Sequence, residues 1–260
     1  MSKSILEVKT TNEKDTGTTN HGITDAIDFS SSGNYHSFEK HLYHNRDYYQ
    51  LSYADATIDL YRLAASVYIA DKTVPRNTAF DSWTREITMY FPVHDILLWN
   101  QNLSTLKKLL SFLTGDHWEI VFTQDKSISP EIDKKIAKKG HVLQSKSVSL
   151  FSGGLDSLIG ATDSIVTNGS VALVGHTDHA LISKTQQNVF DKLSTHFPDS
   201  DIDFIQFFLQ PKKSQENTTR SRSILFLSLG TIIASAIKVK NLIVPENGVI
   251  SLNVPLTYSR

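Results

Sequence analysis

Val148-Ser149-Leu150-Phe151-Ser152-Gly153-Gly154-Leu155-Asp156-Ser157 is the stretch on which the reading of this chain turns. Residues 147–151 predict a short buried strand. Ser152-Gly153-Gly154 predicts a tight turn, because glycine permits backbone angles and close approaches that a Cβ forbids. A helix over residues 157–167 follows, opening near Asp156. Its unpaired N–H groups and positive dipole end point into the turn. With the hydroxyls of Ser152 and Ser157 they suit a pyrophosphate group. Asp156 is an acid beside an anion site, and acts through a Mg²⁺ ion or by holding the loop. The pattern is neither a Walker P-loop nor G-x-G-x-x-G.

Working outward, a rhythm of strand and helix continues. Residues 170–175 read as a strand and 183–197 as a helix with Val189, Leu193 and Phe197 on one face. Residues 201–209 hold a third strand, 219–238 a third helix and 241–244 a fourth strand. The apolar run 224–237 carries Ser228, Gly230, Thr231 and Ser235, and reads as a buried helix. Repeated βα units imply a parallel sheet covered on both faces, with ligands at the carboxyl ends of its strands.

The Ser152–Ser157 segment resembles the S-G-G-x-D-S motif of the PP-loop, or N-type, ATP pyrophosphatases. Five specified residues match by chance roughly once in a million positions. The resemblance implies a PP-loop/HUP-like α/β fold over residues 147–260 that binds ATP and Mg²⁺. Arg222-Ser223-Ile224-Leu225-Phe226-Leu227 is similar to the G-R-N-I-L-F-L segment of 7-cyano-7-deazaguanine synthases, the QueC-like branch. Ser221 and Ser223 replace the flanking Gly and Asn. Arg222 opens the third helix, where an always-charged fork reaches a phosphate or carboxylate. Pro245-Glu246-Asn247-Gly248 stands where those synthases carry an acidic loop that reads the substrate base, which implies substrate binding by Glu246 and Asn247. A common polar turn is the alternative reading. Gly175 and His176, after the second strand, are placed at the nucleotide, with His176 or His179 contacting adenosine or moving a proton; a solvated loop histidine is the rival reading.

Residues 246–260 are more similar to the QatC-type proteins of bacterial anti-phage defence systems. Val74-Pro75-Arg76, Trp83-Thr84-Arg85, Leu113-Thr114-Gly115-Asp116 and Trp118 resemble their additional N-terminal domain. The biosynthetic synthases hold Zn²⁺ through C-terminal cysteines; this chain has no cysteine, so Zn²⁺ is not expected within it. The resemblance also implies that the ATP-binding domain is incomplete at its C-terminus. The implied chemistry is adenylation, ATP going to AMP and pyrophosphate, of a carboxylate or carbonyl. A deazapurine acid is among the candidates, and an amine then displaces AMP. Asp156 and Arg222 are the catalytic candidates, and Asp156 the metal ligand. The alternative is a catalytically inactive module that binds nucleotide and docks other proteins of the same defence operon. A thiolation enzyme acting on tRNA is a third reading, and usually needs a cysteine or a basic RNA surface.

The first half reads differently. Residues 1–32 are rich in Asn, Thr, Asp, Ser and Gly and predict a mobile tail, with order only near residues 27–29. His36, His41 and His44 lie in a Tyr- and charge-rich stretch, with no carboxylate or cysteine pattern to complete a metal site. Leu60, Leu63, Ala64, Val67 and Tyr68 recur at helical spacing. Residues 83–91 alternate as a strand that Pro92 stops, Ser104 caps a helix ended by Gly115, and Trp118, Ile120 and Phe122 mark another strand. Residues 33–125 therefore predict a small α+β domain, joined by a charged linker over 126–146 with a short helix at 130–139.

Composition sets the outer limits. Lys and Arg number 26 against 27 Asp and Glu, so nothing demands nucleic acid or an anionic membrane, although a local basic surface is compatible. Met1-Ser2-Lys3-Ser4 lacks the apolar run of a secretion signal, and no stretch reaches the ~18 apolar residues of a membrane helix. The cytosol is the expected compartment.

Overall fold

The computed structural model describes residues 3–10 and 22–246. It is an α/β protein with two four-stranded sheets, and every strand pair in both is parallel. The first sheet contains β1 (Lys3–Lys9), β2 (Asp25–Asp28), β3 (Glu86–Val93) and β4 (His117–Gln124), in the order β2-β1-β3-β4. Its helices are α1 (His36–Tyr48), α2 (Asp55–Thr73) and α3 (Ile96–Thr114). A four-residue helix, α4 (Lys134–Ala137), interrupts the connecting segment. The second sheet contains β5 (Val148–Leu150), β6 (Ser170–Thr177), β7 (Asp201–Phe208) and β8 (Leu242–Ile243), in the order β7-β6-β5-β8. Its helices are α5 (Leu155–Asn168), α6 (Ala180–His196) and α7 (Arg222–Ala236).

The βα rhythm expected for the second half is present, and its strand order reverses between β5 and β8. That order is compatible with a Rossmann-like arrangement. All eight residues of β6 are buried, as a central parallel strand covered on both faces requires. Phe151, Ala161, Ile165, Val171, Leu173 and Leu193 form the core on the α5 and α6 side. On the opposite side one hydrophobic cluster runs without a break from Leu6 and Met89 of the first sheet to Val174 and Phe207 of the second. Tyr61 and Val67 of α2 and Leu225, Leu229 and Ile232 of α7 lie within it. The two helices pack on each other, so the sheets share one core. Apolar α7 is a buried helix, as its sequence predicts.

Four expectations need correction. The tail over 1–32 supplies β1, paired with β2 on one side and β3 on the other, and β2 itself. Leu6 and Val8 are buried there, and sheet pairing outweighs the polar surroundings. Residues 11–21 of that stretch lie outside the described residues. With these strands included, the first unit is a wholly parallel sheet with helices, and not α+β. Pro92 does not end β3, which runs to Val93. The carbonyls of Arg85 and Val93 accept from His117 and Asp125 on the β4 side, so the even-numbered positions face β1. Registered pairing with β1 ends at Tyr90, and the missing N–H of Pro92 falls beyond it. Finally, α3 begins well before Ser104, capped by the Asp95 carboxylate, which accepts from the Leu98 N–H at 3.0 Å. Gly115 does terminate α3, with φ at 76°.

Burial in α2 extends beyond its apolar stripe. Asp59, Arg62 and Asp71 are also buried, and each is paired. Asp71 accepts from Arg85 Nη2 at 2.7 Å and Arg76 Nη2 at 3.2 Å. Both arginines also reach Asp116, at 2.5 Å and 3.0 Å. Arg76 further donates to the carbonyls of Trp83 and Thr114, and Trp118 Nε1 donates to Thr114 Oγ1 at 2.9 Å. The four segments singled out in this half of the sequence thus meet in one buried charged network. The other Asp71 oxygen accepts from Ser221 Oγ at 2.8 Å and Thr218 Oγ1 at 3.1 Å, both from the loop between β7 and α7. Burial alone raises the Asp71 carboxyl pKa, but the bonds from Arg85 and Ser221 outweigh it and hold the pKa below the usual range. The same loop is tied down by Gln215 and Glu216 amides on the Lys72 carbonyl, by Glu216 on the Arg76 amide and by Arg220 over the Trp83 ring.

Asp71→Ala leaves two buried guanidinium groups short of a carboxylate and frees the loop. We expect a loss of about 3–5 kcal/mol in stability, read from urea denaturation at neutral pH. A loss below about 1 kcal/mol shows that the network does not brace the two halves.

Candidate functional site

The reversal of strand order between β5 and β8 opens a cleft of about 400 Å³ at the carboxyl ends of the second sheet. Open parallel sheets place their ligands at such a point. The cleft is lined by Ser152 and Ser157 from the turn after β5, by Thr219, Arg222 and Ser223 from the start of α7, and by Glu246 beyond β8.

The turn between β5 and α5 is held from several directions. Gly153 has φ at 81°, and a Cβ there would lie 3.0 Å from the Gln186 side chain. Only glycine meets both conditions without strain. Ser157 Oγ accepts from the Gly153 N–H at 3.1 Å and donates to the Gly154 carbonyl at 2.8 Å. Ser152 Oγ accepts from the Gly154 N–H at 3.3 Å. The two hydroxyls therefore shape the loop, and the two glycine amides are already satisfied within it. The open donors lie one step later. The amides of Leu155, Asp156 and Ser157, the first turn of α5, meet no acceptor among the described residues. A helix of 14 residues presents its positive end there without a side-chain cap.

Arg222 stands across the cleft as the first residue of α7. It is half-buried and donates from Nη2 to the His176 carbonyl at 3.4 Å. It makes no ion pair with any described residue. Ser221 precedes it and is anchored on Asp71, so the first unit sets where the α7 terminus points. An unmatched guanidinium facing an open helix terminus makes the cleft attractive to an anion.

The other expected residues divide. Glu246 is exposed on the rim and has no partner among the described residues. Asn247 lies outside the described residues. Asp156 is exposed on the first turn of α5, unpaired, and is not among the lining residues. Gly175 serves packing: a Cβ there would lie 2.8 Å from Phe204 and 2.9 Å from Gln186 Oε1. The His176 ring is fully buried away from the cleft, edge-on to Tyr68, with Nε2 3.2 Å from the Leu209 carbonyl. It is placed to contact neither adenosine nor a reacting proton, because β6 turns that side chain toward α2. Only its carbonyl reaches the site, through Arg222 and Gln186. His179 is a solvated loop histidine. Burial, followed by the charge of Arg222, pushes the His176 pKa down to about 4.

Sequence reasoning missed Gln186 and Asp71. Gln186 is fully buried and donates from Nε2 to the carbonyls of Ser152 and His176, at 3.3 Å and 3.1 Å, tying the turn to β6. A signal existed: Gln186 falls on the same face of α6 as Val189, Leu193 and Phe197, and a polar residue on an apolar stripe implies a specific partner.

Metal chemistry has one further candidate among the described residues, the group Asp59, His94 and Asp125. It does not fit a cation. Asp125 already accepts from Thr10, Arg62 and both the amide and hydroxyl of Ser127. Asp59 is bound by the His94 ring and amide and by Trp99. The carboxylate lone pairs are nearly all occupied by protein donors. His36, His41 and His44 lie on α1, an ordinary helix.

Comparison with known proteins places no relative beside the chain: no family model, curated protein or solved structure matches it.

The depressed pKa of His176 carries a stability signature. The folded state refuses a proton that the unfolded chain accepts near pH 6.5, so His176 destabilises the fold as pH falls from 6.5 toward 4. His176→Gln should therefore flatten the profile. Between pH 6.5 and 5 it should lose roughly 2 kcal/mol less stability than the parent. Parallel urea titrations at the two pH values check this, and identical slopes refute it.

Proposed function

We propose that this chain is an ATP-using enzyme of PP-loop type, which adenylates a carboxylate or carbonyl with release of pyrophosphate. One observation carries the reading: Ser152 and Ser157, which flank the glycine turn and the uncapped start of α5, and unpaired Arg222 line a single cleft at the strand-order reversal. A nucleotide placed there sets its phosphates against the α5 terminus and Arg222. The substrate oxygen attacks the α-phosphorus, and the α–β bridging oxygen leaves with pyrophosphate. Donors that are fixed before reaction stabilise that departing charge without reorganising. Asp156 and Glu246, both exposed and unpaired, are the carboxylates available at this edge to hold Mg²⁺, which would offset the phosphate charge. Glu246, on the rim, can accept from the amino and ring N–H groups of a purine-like base. A deazapurine acid, joined to an amine after adenylation, is the substrate that the resemblance favours, and anti-phage defence is the setting.

A second reading is a module that binds nucleotide without turnover and docks partner proteins from the same operon. The exclusion of Asp156 from the cleft lining favours it.

Incubation with ATP, Mg²⁺ and candidate acids should yield AMP and pyrophosphate. Formation of ADP, or no nucleotide binding, counts against both the chemistry and the site. Binding of a non-hydrolysable ATP analogue without turnover supports the module. Arg222→Ala should lower kcat/KM on the order of a hundredfold. Asp156→Ala should abolish pyrophosphate release while leaving the circular dichroism spectrum unchanged.

A further inference from the structure

The first sheet has a carboxyl edge of its own, and the function proposed above does not use it. Each of its four strands delivers a polar side chain there. Thr10 follows β1, Ser30 lies just beyond β2, His94 follows β3 and Asp125 follows β4. A cleft of about 320 Å³ opens at that edge, between α1 and the segment from Ser127 to Ile136.

The cleft is lined by three carboxylates, Glu39, Asp47 and Asp133, and by two permanent cations, Lys40 and Arg62. Its acids are already matched. Both oxygens of Glu39 accept from Arg62, at 2.9 Å and 3.1 Å. Asp47 accepts from Arg46 at 2.6 Å and from the Asp133 amide at 3.0 Å. Asp133 caps α4 through the amides of Lys135 and Ile136. Among the cations, Arg62 is held by Glu39 and Asp125, whereas Lys40 has no carboxylate of its own. His36, Lys40 and His44 lie four residues apart along α1 and line one wall, and none makes an ion pair with a described residue.

Two further groups lack partners. Ser30 lines the cleft, is 4% exposed, and its hydroxyl has no hydrogen-bond partner. Nδ1 of His36, the first residue of α1, is likewise unpartnered. Buried polar atoms are rarely left so without a reason. His36 opens α1, a helix of 13 residues with no side-chain cap; the amides of His36 and Phe38 are taken by the Gly33 and Tyr35 carbonyls, and the Ser37 amide is left open among the described residues.

We propose that this cleft is a second ligand site, which takes a small phosphate-bearing molecule with its phosphate against Ser30, His36 and Lys40. The helix end and Lys40 supply the positive field. The Ser30 hydroxyl and His36 ring turn from buried orphans into donors. Arg62 stays on Glu39 and Asp125, and acts as the floor.

The test uses the full chain carrying Arg222→Ala, which weakens the cleft of the second sheet. Inorganic phosphate and, separately, AMP are titrated in by calorimetry. Binding that survives Arg222→Ala, and that added Lys40→Glu weakens about tenfold or more, supports the site. Lys40 is exposed, so that substitution spares the fold. Ser30→Ala should weaken binding severalfold at an unchanged melting temperature. If AMP binds more tightly than phosphate and suffers the same losses, the ligand is a phosphate ester; binding of phosphate alone assigns the free ion. Binding of neither probe, or binding indifferent to both substitutions, overturns the proposal.

Discussion

The Asp71 carboxylate is the constraint on which the arrangement of this molecule rests. It is fully buried, and its oxygens divide between two tasks. One gathers Arg85 and Arg76 within the first unit, and the other holds Ser221 and Thr218 beside the second sheet. A buried carboxylate must be matched by donors or become protonated. Here the donors come from both halves of the chain, so satisfying the charge also ties the β7–α7 loop to the first unit. The shared core between α2 and α7 provides non-directional cohesion, while the Asp71 network decides how the β7–α7 loop lies. That loop leads directly into Arg222. The first unit therefore shapes a cleft to which none of its residues contributes a lining atom.

The cleft owes its character to positive groups left unmatched. Ser157 of the first turn of α5 and the guanidinium-bearing Arg222 line it; the amides of that turn have no acceptor and Arg222 no carboxylate among the described residues. The hydroxyls of Ser152 and Ser157 are spent inside the turn, so the turn is preorganised before any ligand arrives. Gln186 extends this by anchoring the Ser152 carbonyl to β6. A rigid donor array suits chemistry in which negative charge accumulates on leaving phosphates. The interior is sorted the opposite way: the buried His176 ring sheds its proton, while its carbonyl aligns Arg222.

Much of this was legible where the physics is local. The β5-turn-α5 unit could be read because strand, glycine turn and helix start lie within one short stretch. The end of α3 at Gly115 depends on one left-handed residue, and apolar α7 on its own composition. Distant partners were harder to read. β1 and β2 sit in polar sequence and exist through pairing with each other and with β3. The Pro92 stop failed because the position faces β1 beyond Tyr90, where registered pairing between the two strands ends. The segments around Arg76, Arg85 and Asp116 stood out individually, yet nothing in their spacing told that Asp71 joins them.

By itself, then, the sequence determined a parallel βα succession in the second half, a glycine turn opening a helix, and an arginine at the start of another helix. Each follows from backbone sterics or periodicity over a few residues. Tertiary structure alone decided that the first half is a second parallel sheet, that His176 faces inward while Arg222 faces the cleft, and that Asp71 links the two layers. These outcomes depend on which strand lies beside which and on which buried charges find partners. Such contacts join residues far apart in the chain, and their energies arise only once the core has closed.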